Sequence, residues 1–203
     1  MSRQTWKPGN MLYPVPAVMV TVQKPGDKPN IITIAWAGTV CSDPPMVSIS
    51  VKKERYSYGI LHETKEFAVN LVTDRLTQTM DFCGVRSGRD VDKFKEMKLT
   101  PVPVEGITAP GIEESPLILS CKVKEEKTLG SHVMFLAEVV SVSVDESLLD
   151  EKKRLCLNQA GLVAYSHGEY FLLGKKLGKF GYSVRKKEKK GTGKTGKKKR
   201  ERK

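Results

Sequence analysis

The chain has 203 residues, with 35 Lys or Arg against 23 Asp or Glu, and its formal net charge of +12 invites a nucleic-acid reading. That charge is local: residues 185–203 hold 12 basic and two acidic residues, a net of +10, so residues 1–184 hold 23 basic and 21 acidic, a net of +2. The body is long enough to bury a core, its composition excludes a wholly disordered chain, and no apolar run approaches the ~18 residues of a membrane-spanning helix.

Residues 1–10 contain no apolar h-region, so no secretory signal is expected. Residues 17–22 (AVMVTV) form a β-branched run ended by the turn residues Lys24, Pro25, Gly26 and Asp27. Strands are expected next over residues 30–36 (NIITIAW) and 46–51 (MVSISV), separated by Cys41-Ser42-Asp43-Pro44-Pro45. Proline cannot donate to a ladder, so the pair belongs at the start of the following strand. A short helix over residues 56–62, capped near Arg55, precedes a strand over 67–71 (FAVNL). Leu76, Met80 and Cys83 at helical spacing predict a helix over 73–83 with Thr73 as N-cap, and residues 92–97 form a third helical candidate.

The second half reads as strands at 117–123 and 133–144, the latter long enough to bend across a barrel corner. Residues 163–165 and 170–173 flank Ser166-His167-Gly168-Glu169, a hairpin turn. Many strands of uneven length with a few interposed helices predict a mainly β (α+β) protein built on an antiparallel barrel. The expected organisation is one domain over residues 1–184 and a disordered Lys-rich tail over 185–203. Within the tail, Gly191 to Lys197 has phosphate-loop spacing, but Lys198 replaces the magnesium-binding hydroxyl and no strand or helix flanks it.

Cys41, Cys83, Cys121 and Cys156 lie far apart, without a C-x-x-C pair or a histidine at metal-ligand spacing. The even count permits disulfides, while reduced thiols in a cytoplasmic protein are the expectation. His62-Glu63 is half of a metal motif with no second histidine at i+4, so no metal site is assigned.

The stretch from Asn30 to Asn70 carries the chemistry. Asn30, Thr33, Ala35 and Trp36 are followed by Ser48, Ile49, Ser50 and Val51, and then by Lys52, Lys53, Arg55 and Ser57 at a helix start. Hydroxyls and backbone groups on facing strands suit the polar edge of a planar ligand. Arg55 with the helix N-terminus suits its phosphate, since a guanidinium forks onto two oxygens and the first helical N–H groups lack partners. The pattern alone also allows an ordinary hairpin with a solvated basic turn.

The ordered motifs N-x-x-T-x-A-W, C-S-D-P-P, S-I-S-V-x-x-x-R-x-S and E-F-A-V-N-L, continued by Asp92-Lys93-Phe94 and by Gly130-Ser131-His132 with Phe135-Leu136-Ala137-Glu138-Val139, resemble the flavin reductase-like proteins of the FMN-binding split-barrel group, the flavoredoxin-like subgroup above all. The resemblance spans roughly residues 10–175. It implies a Greek-key split β-barrel, a homodimer, bound FMN, and electrons supplied by NAD(P)H or a redox partner protein. By position it implies that Asn30, Thr33, Ala35 and Trp36 lie along the flavin and that Ser48, Ile49, Ser50 and Val51 meet the ring edge, largely through backbone groups. It further implies that Arg55, Ser57 and Lys93 hold the phosphate and that His132 stands in the catalytic position near the nicotinamide entrance. Two departures from the family's G-D-H-x-x-x-x-G-E-V segment, Ser131 for aspartate and Ala137 for glycine, bear on the nicotinamide step. Core packing for Trp36, a structural role for His132 and a solvated face for Lys93 stay open, and a nucleic-acid or polyanion-binding role through the tail is the rival function.

Overall fold

The computed structural model describes residues 1–184; the tail and its phosphate-loop-like spacing lie outside the described residues. By contacts the chain divides into a unit Met1–Leu173 and a unit from Gly174 onward, whose described part contains a 3-10 turn at Tyr182–Val184.

In chain order the first unit contains β1 (Val15–Pro16), β2 (Val18–Val22), β3 (Asn30–Ile34), β4 (Ala37–Ser42), β5 (Pro45–Lys52), α1 (Tyr56–Thr64) and β6 (Glu66–Leu71). These are followed by α2 (Thr77–Val85), α3 (Lys93–Glu96), β7 (Pro101–Val102), β8 (Gly111–Ile112), β9 (Leu117–Leu129), β10 (His132–Val144), β11 (Val163–Ser166) and β12 (Glu169–Leu172). Seven strands form one antiparallel sheet in the order β3-β2-β6-β9-β10-β5-β4. Its long strands β9 and β10 shift register between Leu136 and Ala137 and between Val139 and Ser141. Such irregularities bend a strand and strengthen its twist, so the expected corner lies in β10. The sheet curls until the β3–β4 bend meets β5, where the Ser50 amide donates to the Trp36 carbonyl at 2.9 Å.

Alternation along β2 explains the two cores. Val18, Val20 and Val22 point into the barrel with Ile32, Ile34, Ile49, Val51, Phe67 and Phe135. Ala17 and Met19 point outward, into a second cluster with Ile31, Met80, Cys83 and Phe94 beneath α2 and α3. A strand covered on both faces reads as a continuous apolar run, which is what 17–22 shows. Removing Phe67 or Phe135 from water stabilises the barrel by about 1.5–3 kcal/mol each.

Four expectations change, one of them the strand expected over 117–123, which as β9 continues to Leu129 in its pairing with β10. The strand expected over 30–36 stops at Ile34; the chain bends at Ala35–Trp36 and starts β4, which the sequence reading leaves as a connector. The helix expected over 73–83 starts at Thr77, because Thr73 stays extended, bridged to Leu162, and a 3-10 turn at Asp74–Leu76 follows. Thr73 makes no side-chain cap. The helical candidate at 92–97 shortens to Lys93–Glu96, where the Asp92 carboxylate accepts from the Lys95 amide. The double proline does mark the start of β5, and His167 and Gly168, both at positive φ, make the two-residue turn between β11 and β12. Among the described residues no helix is long and apolar enough to cross a membrane.

Candidate functional site

Two clefts meet where β3, the β5–α1 connection and the end of α2 converge. One, of about 200 Å³, is lined by Asn30, Ser57, Lys93 and the loop Arg86-Ser87-Gly88-Arg89. The other, of about 360 Å³, is lined by Thr33, Ala35, Trp36, Ser50, Lys52 and His132. Ile32, Glu54 and Arg55 border both.

The smaller cleft has the features of an anion site. Arg55 is the N-cap of α1 with an extended backbone and no side-chain cap, and the first turn carries no acidic residue. The Tyr58 amide turns back to the Arg55 carbonyl at 2.9 Å, and among the described residues the amides of Tyr56 and Ser57 are left for another acceptor. The Arg55 guanidinium is steadied by the Gly84 carbonyl. Ser57 is 1% exposed, and its hydroxyl accepts from the Asn30 side-chain amide at 2.8 Å.

Lys93 is 3% exposed, and its ammonium donates to the carbonyls of Ile31 (2.6 Å) and Cys83 (2.7 Å). Two neutral carbonyls solvate an ammonium without neutralising it. Burial accordingly pushes the Lys93 pKa down to about 8; the Cys83 thiol opposes that shift and the Arg55 charge adds to it. Burial pushes the Cys83 thiol up to about 11. Buried cations are usually paired, and among the described residues no carboxylate pairs with this one.

Glycine at position 88 is a steric requirement here. A Cβ would lie 2.1 Å from Asn30 Oδ1 and 2.8 Å from Tyr56 Cδ1. Arg89 reaches back over the Tyr56 ring, 5.6 Å from its centroid, and donates to the Glu54 carbonyl at 3.3 Å.

The larger cleft is flatter and more apolar. Trp36 is half-buried and packs against Tyr13 at 6.3 Å between ring centroids; Tyr13 in turn meets Tyr165 edge-on at 5.8 Å. His132 begins β10 opposite Lys52, and its Nδ1 is hydrogen-bonded to Ser131 Oγ at 2.8 Å. Nε2 makes no hydrogen bond among the described residues.

The structure thus brings Asn30, Arg55, Ser57 and Lys93 to the anion end, and Thr33, Ala35, Trp36, Ser50, Val51 and His132 to the flat end. Asn30 sits with the phosphate-suited group rather than along the flat cleft. Thr33 has its hydroxyl tied to the Met80 carbonyl. Ile49 is wholly buried in the barrel core, so its side chain is unavailable, and Ser48 lines a neighbouring hollow on the other side of Trp36 with Met11 and Leu12. His62 is exposed and pairs with Glu126 at 2.8 Å.

Residues missed by the sequence reading are Arg86, Ser87, Gly88 and Arg89, together with Tyr56 and Glu54. Their signal was a basic pair bracketing Ser-Gly directly after a helix, a combination suited to close backbone approach.

Comparison with known proteins identifies the family and the fold. The family described as flavin reductase like domain matches residues 10–173. The structure of flavoredoxin from Desulfovibrio vulgaris (Miyazaki F) superposes with a TM-score of 0.84 at 30% identity, covering 91% of this chain and 100% of that one. Flavoredoxin from Methanosarcina acetivorans superposes with a TM-score of 0.81 at 25% identity, again covering 91% and 100%. An FMN-binding protein from Thermus thermophilus, solved with bound 1-cyclohex-2-enone, gives a TM-score of 0.70 at 26% identity, covering 85% and 94%.

Proposed function

Since the chain belongs to the flavin reductase-like domain family, we propose that it binds FMN and moves reducing equivalents through it, as a flavin reductase or a flavoredoxin-like electron carrier. The observation that carries this reading is Lys93: a buried ammonium, bonded only to carbonyls among the described residues, beside Arg55 and an uncapped helix start. A flavin phosphate supplies the missing charge. The larger cleft, walled by Trp36 and the β3–β4 bend, accepts the planar ring next to it.

In this reading Arg55, Lys93 and the α1 amides bind the phosphate while Ser57, positioned by Asn30, orients it. Gly88 lets the loop after α2 approach the phosphate without a side chain between them. Trp36 excludes water from the ring, and the backbone groups of Ser50 and Val51 meet its polar edge. When bound, the flavin supplies the capacity to accept a hydride and release electrons, which no side chain provides. His132, held through Nδ1 by Ser131, offers Nε2 to the donor or to the ring edge. The donor is NAD(P)H or a redox partner protein.

The reading also places the protein in the cytoplasm as a homodimer. Val40 on β4 and, on β10, Val140 at the second irregularity and Val142 beyond it are exposed apolar residues that a second copy would cover.

Anaerobic reduction of the FMN-loaded protein by NADH, NADPH and dithionite tests the assignment. Bleaching of the flavin band by a nicotinamide identifies a reductase. Bleaching by dithionite alone identifies a carrier fed by a partner protein. Failure of dithionite to bleach any protein-bound band contradicts both.

A further inference from the structure

The unit that begins at Gly174 contributes no residue to the two clefts. Its described residues, 174–184, carry Lys175, Lys176 and Lys179 and no acid, interleaved with Leu177, Phe180, Tyr182 and Val184. Together with the basic run over 185–203 they bring residues 174–203 to a net charge of +13, which leaves residues 1–173 at −1. All of the chain's excess positive charge therefore belongs to one C-terminal segment.

The apolar side chains of this segment are bare. Leu177 is 93% exposed, Phe180 107% and Val184 83%. A local reversal sets them there. The Tyr182 amide donates to the Lys179 carbonyl at 2.9 Å, and Gly181 sits at a φ of 77°. The Tyr182 ring lies over Gly178, where a Cβ would stand 2.6 Å from Cδ1. The reversal thus occupies one side of Tyr182 and leaves Leu177 and Phe180 open to water among the lysines. Single exposed apolar residues are ordinary; three bare ones between Lys176 and Arg185 are a cluster.

Charge alone fits any polyanion, so the apolar residues decide between partners. Bases stack on aromatic rings, and Leu177 and Val184 offer none. An anionic bilayer matches both features, since its headgroups attract Lys and Arg while its acyl boundary takes up Leu, Phe and Val. A polybasic run joined to an apolar anchor is the two-signal arrangement that holds a chain at such a surface.

We propose that residues 174–203 dock the protein on an anionic lipid surface, with Leu177, Phe180 and Val184 entering the boundary between headgroups and acyl chains and the Lys and Arg side chains meeting the headgroup phosphates. The docking is independent of the flavin reading and adds a membrane-surface address to it.

Co-sedimentation of the full-length protein with phosphatidylcholine vesicles, with and without about 30% phosphatidylserine, at about 0.15 M salt tests it. The wild type is expected to pellet with the phosphatidylserine vesicles and to stay in solution with the neutral ones. Leu177→Ser with Phe180→Ser alters no charge and touches only exposed positions. It is expected to weaken binding to the anionic vesicles at least tenfold, with retention on a heparin column unchanged. Phe180→Trp is expected to show a blue shift of tryptophan emission on adding those vesicles, beyond any shift of the wild type. A wild type that ignores phosphatidylserine overturns the proposal. So does a double variant that binds the vesicles as the wild type does, which would leave a purely electrostatic tail. A double variant that loses affinity for a single-stranded oligonucleotide overturns it in favour of nucleic acid. One whose light scattering gives half the wild-type mass without vesicles overturns it in favour of a second copy.

Discussion

Lys93 and Arg55 are where single atoms decide the behaviour of the site. In the proposed reading Arg55 would make a charge-assisted contact with the phosphate, so Arg55→Ala is expected to weaken FMN binding by about 1.5–3 kcal/mol, roughly 10- to 150-fold. An unchanged dissociation constant in a fluorescence titration removes Arg55 from the phosphate site. Lys93 adds a pH signature. Its folded pKa, about 8, lies below the ordinary lysine value of 10.5 because its charge is buried. Below pH 8 both folded and unfolded chains hold the proton, and the cost of the buried charge is fully present. Between pH 8 and 10.5 the folded chain releases the proton first, so this group's contribution to stability rises with pH. The raised Cys83 thiol works in the opposite direction above about pH 9, so the expectation is a difference: over that window the flavin-free wild type gains stability relative to Lys93→Met in thermal melts. FMN affinity should fall over the same window, since the phosphate loses its ammonium. A flavin-free melt that loses stability equally in wild type and variant contradicts the assignment.

At the scale of elements, the loop after α2 controls how closely backbone approaches ligand. Gly88→Ala forces a methyl group against Asn30 and Tyr56, and the overpacking is expected to cost about 1–3 kcal/mol of stability in a denaturant titration and to weaken FMN binding as well. Stability and affinity matching the wild type would show that the loop yields freely. The same region shows how far a sequence carries. The strands β2, β3, β5, β6 and β10 announce themselves through β-branched runs and bracketing Pro, Gly and Asp, and Arg55 and Ser57 stand out as a cation and a hydroxyl at a helix start, whereas Lys93 is singled out only by the family resemblance. β4 does not, because Ala37–Ser42 is a half-exposed edge strand without apolar alternation, defined only by its pairing with β5. The delayed start of α2 is equally hidden: the bridge from Thr73 to Leu162 joins residues far apart in sequence. Gly88 escapes notice because its role depends on Asn30 and Tyr56 facing it from other elements.

At the scale of the whole molecule, the +12 charge divides into a nearly neutral body and a basic tail. Truncation after Val184 is expected to leave FMN affinity unchanged and to lower retention on a polyanion column, with a shallower salt dependence; loss of flavin binding would show that the tail belongs to the site. Light scattering of the full chain should give the mass of a homodimer, and a monomer at micromolar concentration contradicts that expectation. In the proposed function the buried Lys93 ammonium of the anion cleft would meet a flavin phosphate. Titration of wild type and Lys93→Met with FMN and with riboflavin, which differ only by that phosphate, addresses it most directly. The wild type is expected to prefer FMN by roughly 100-fold and the variant to lose most of that preference with riboflavin binding unchanged. Equal binding of the two flavins by the wild type, or uptake of neither, would contradict the account.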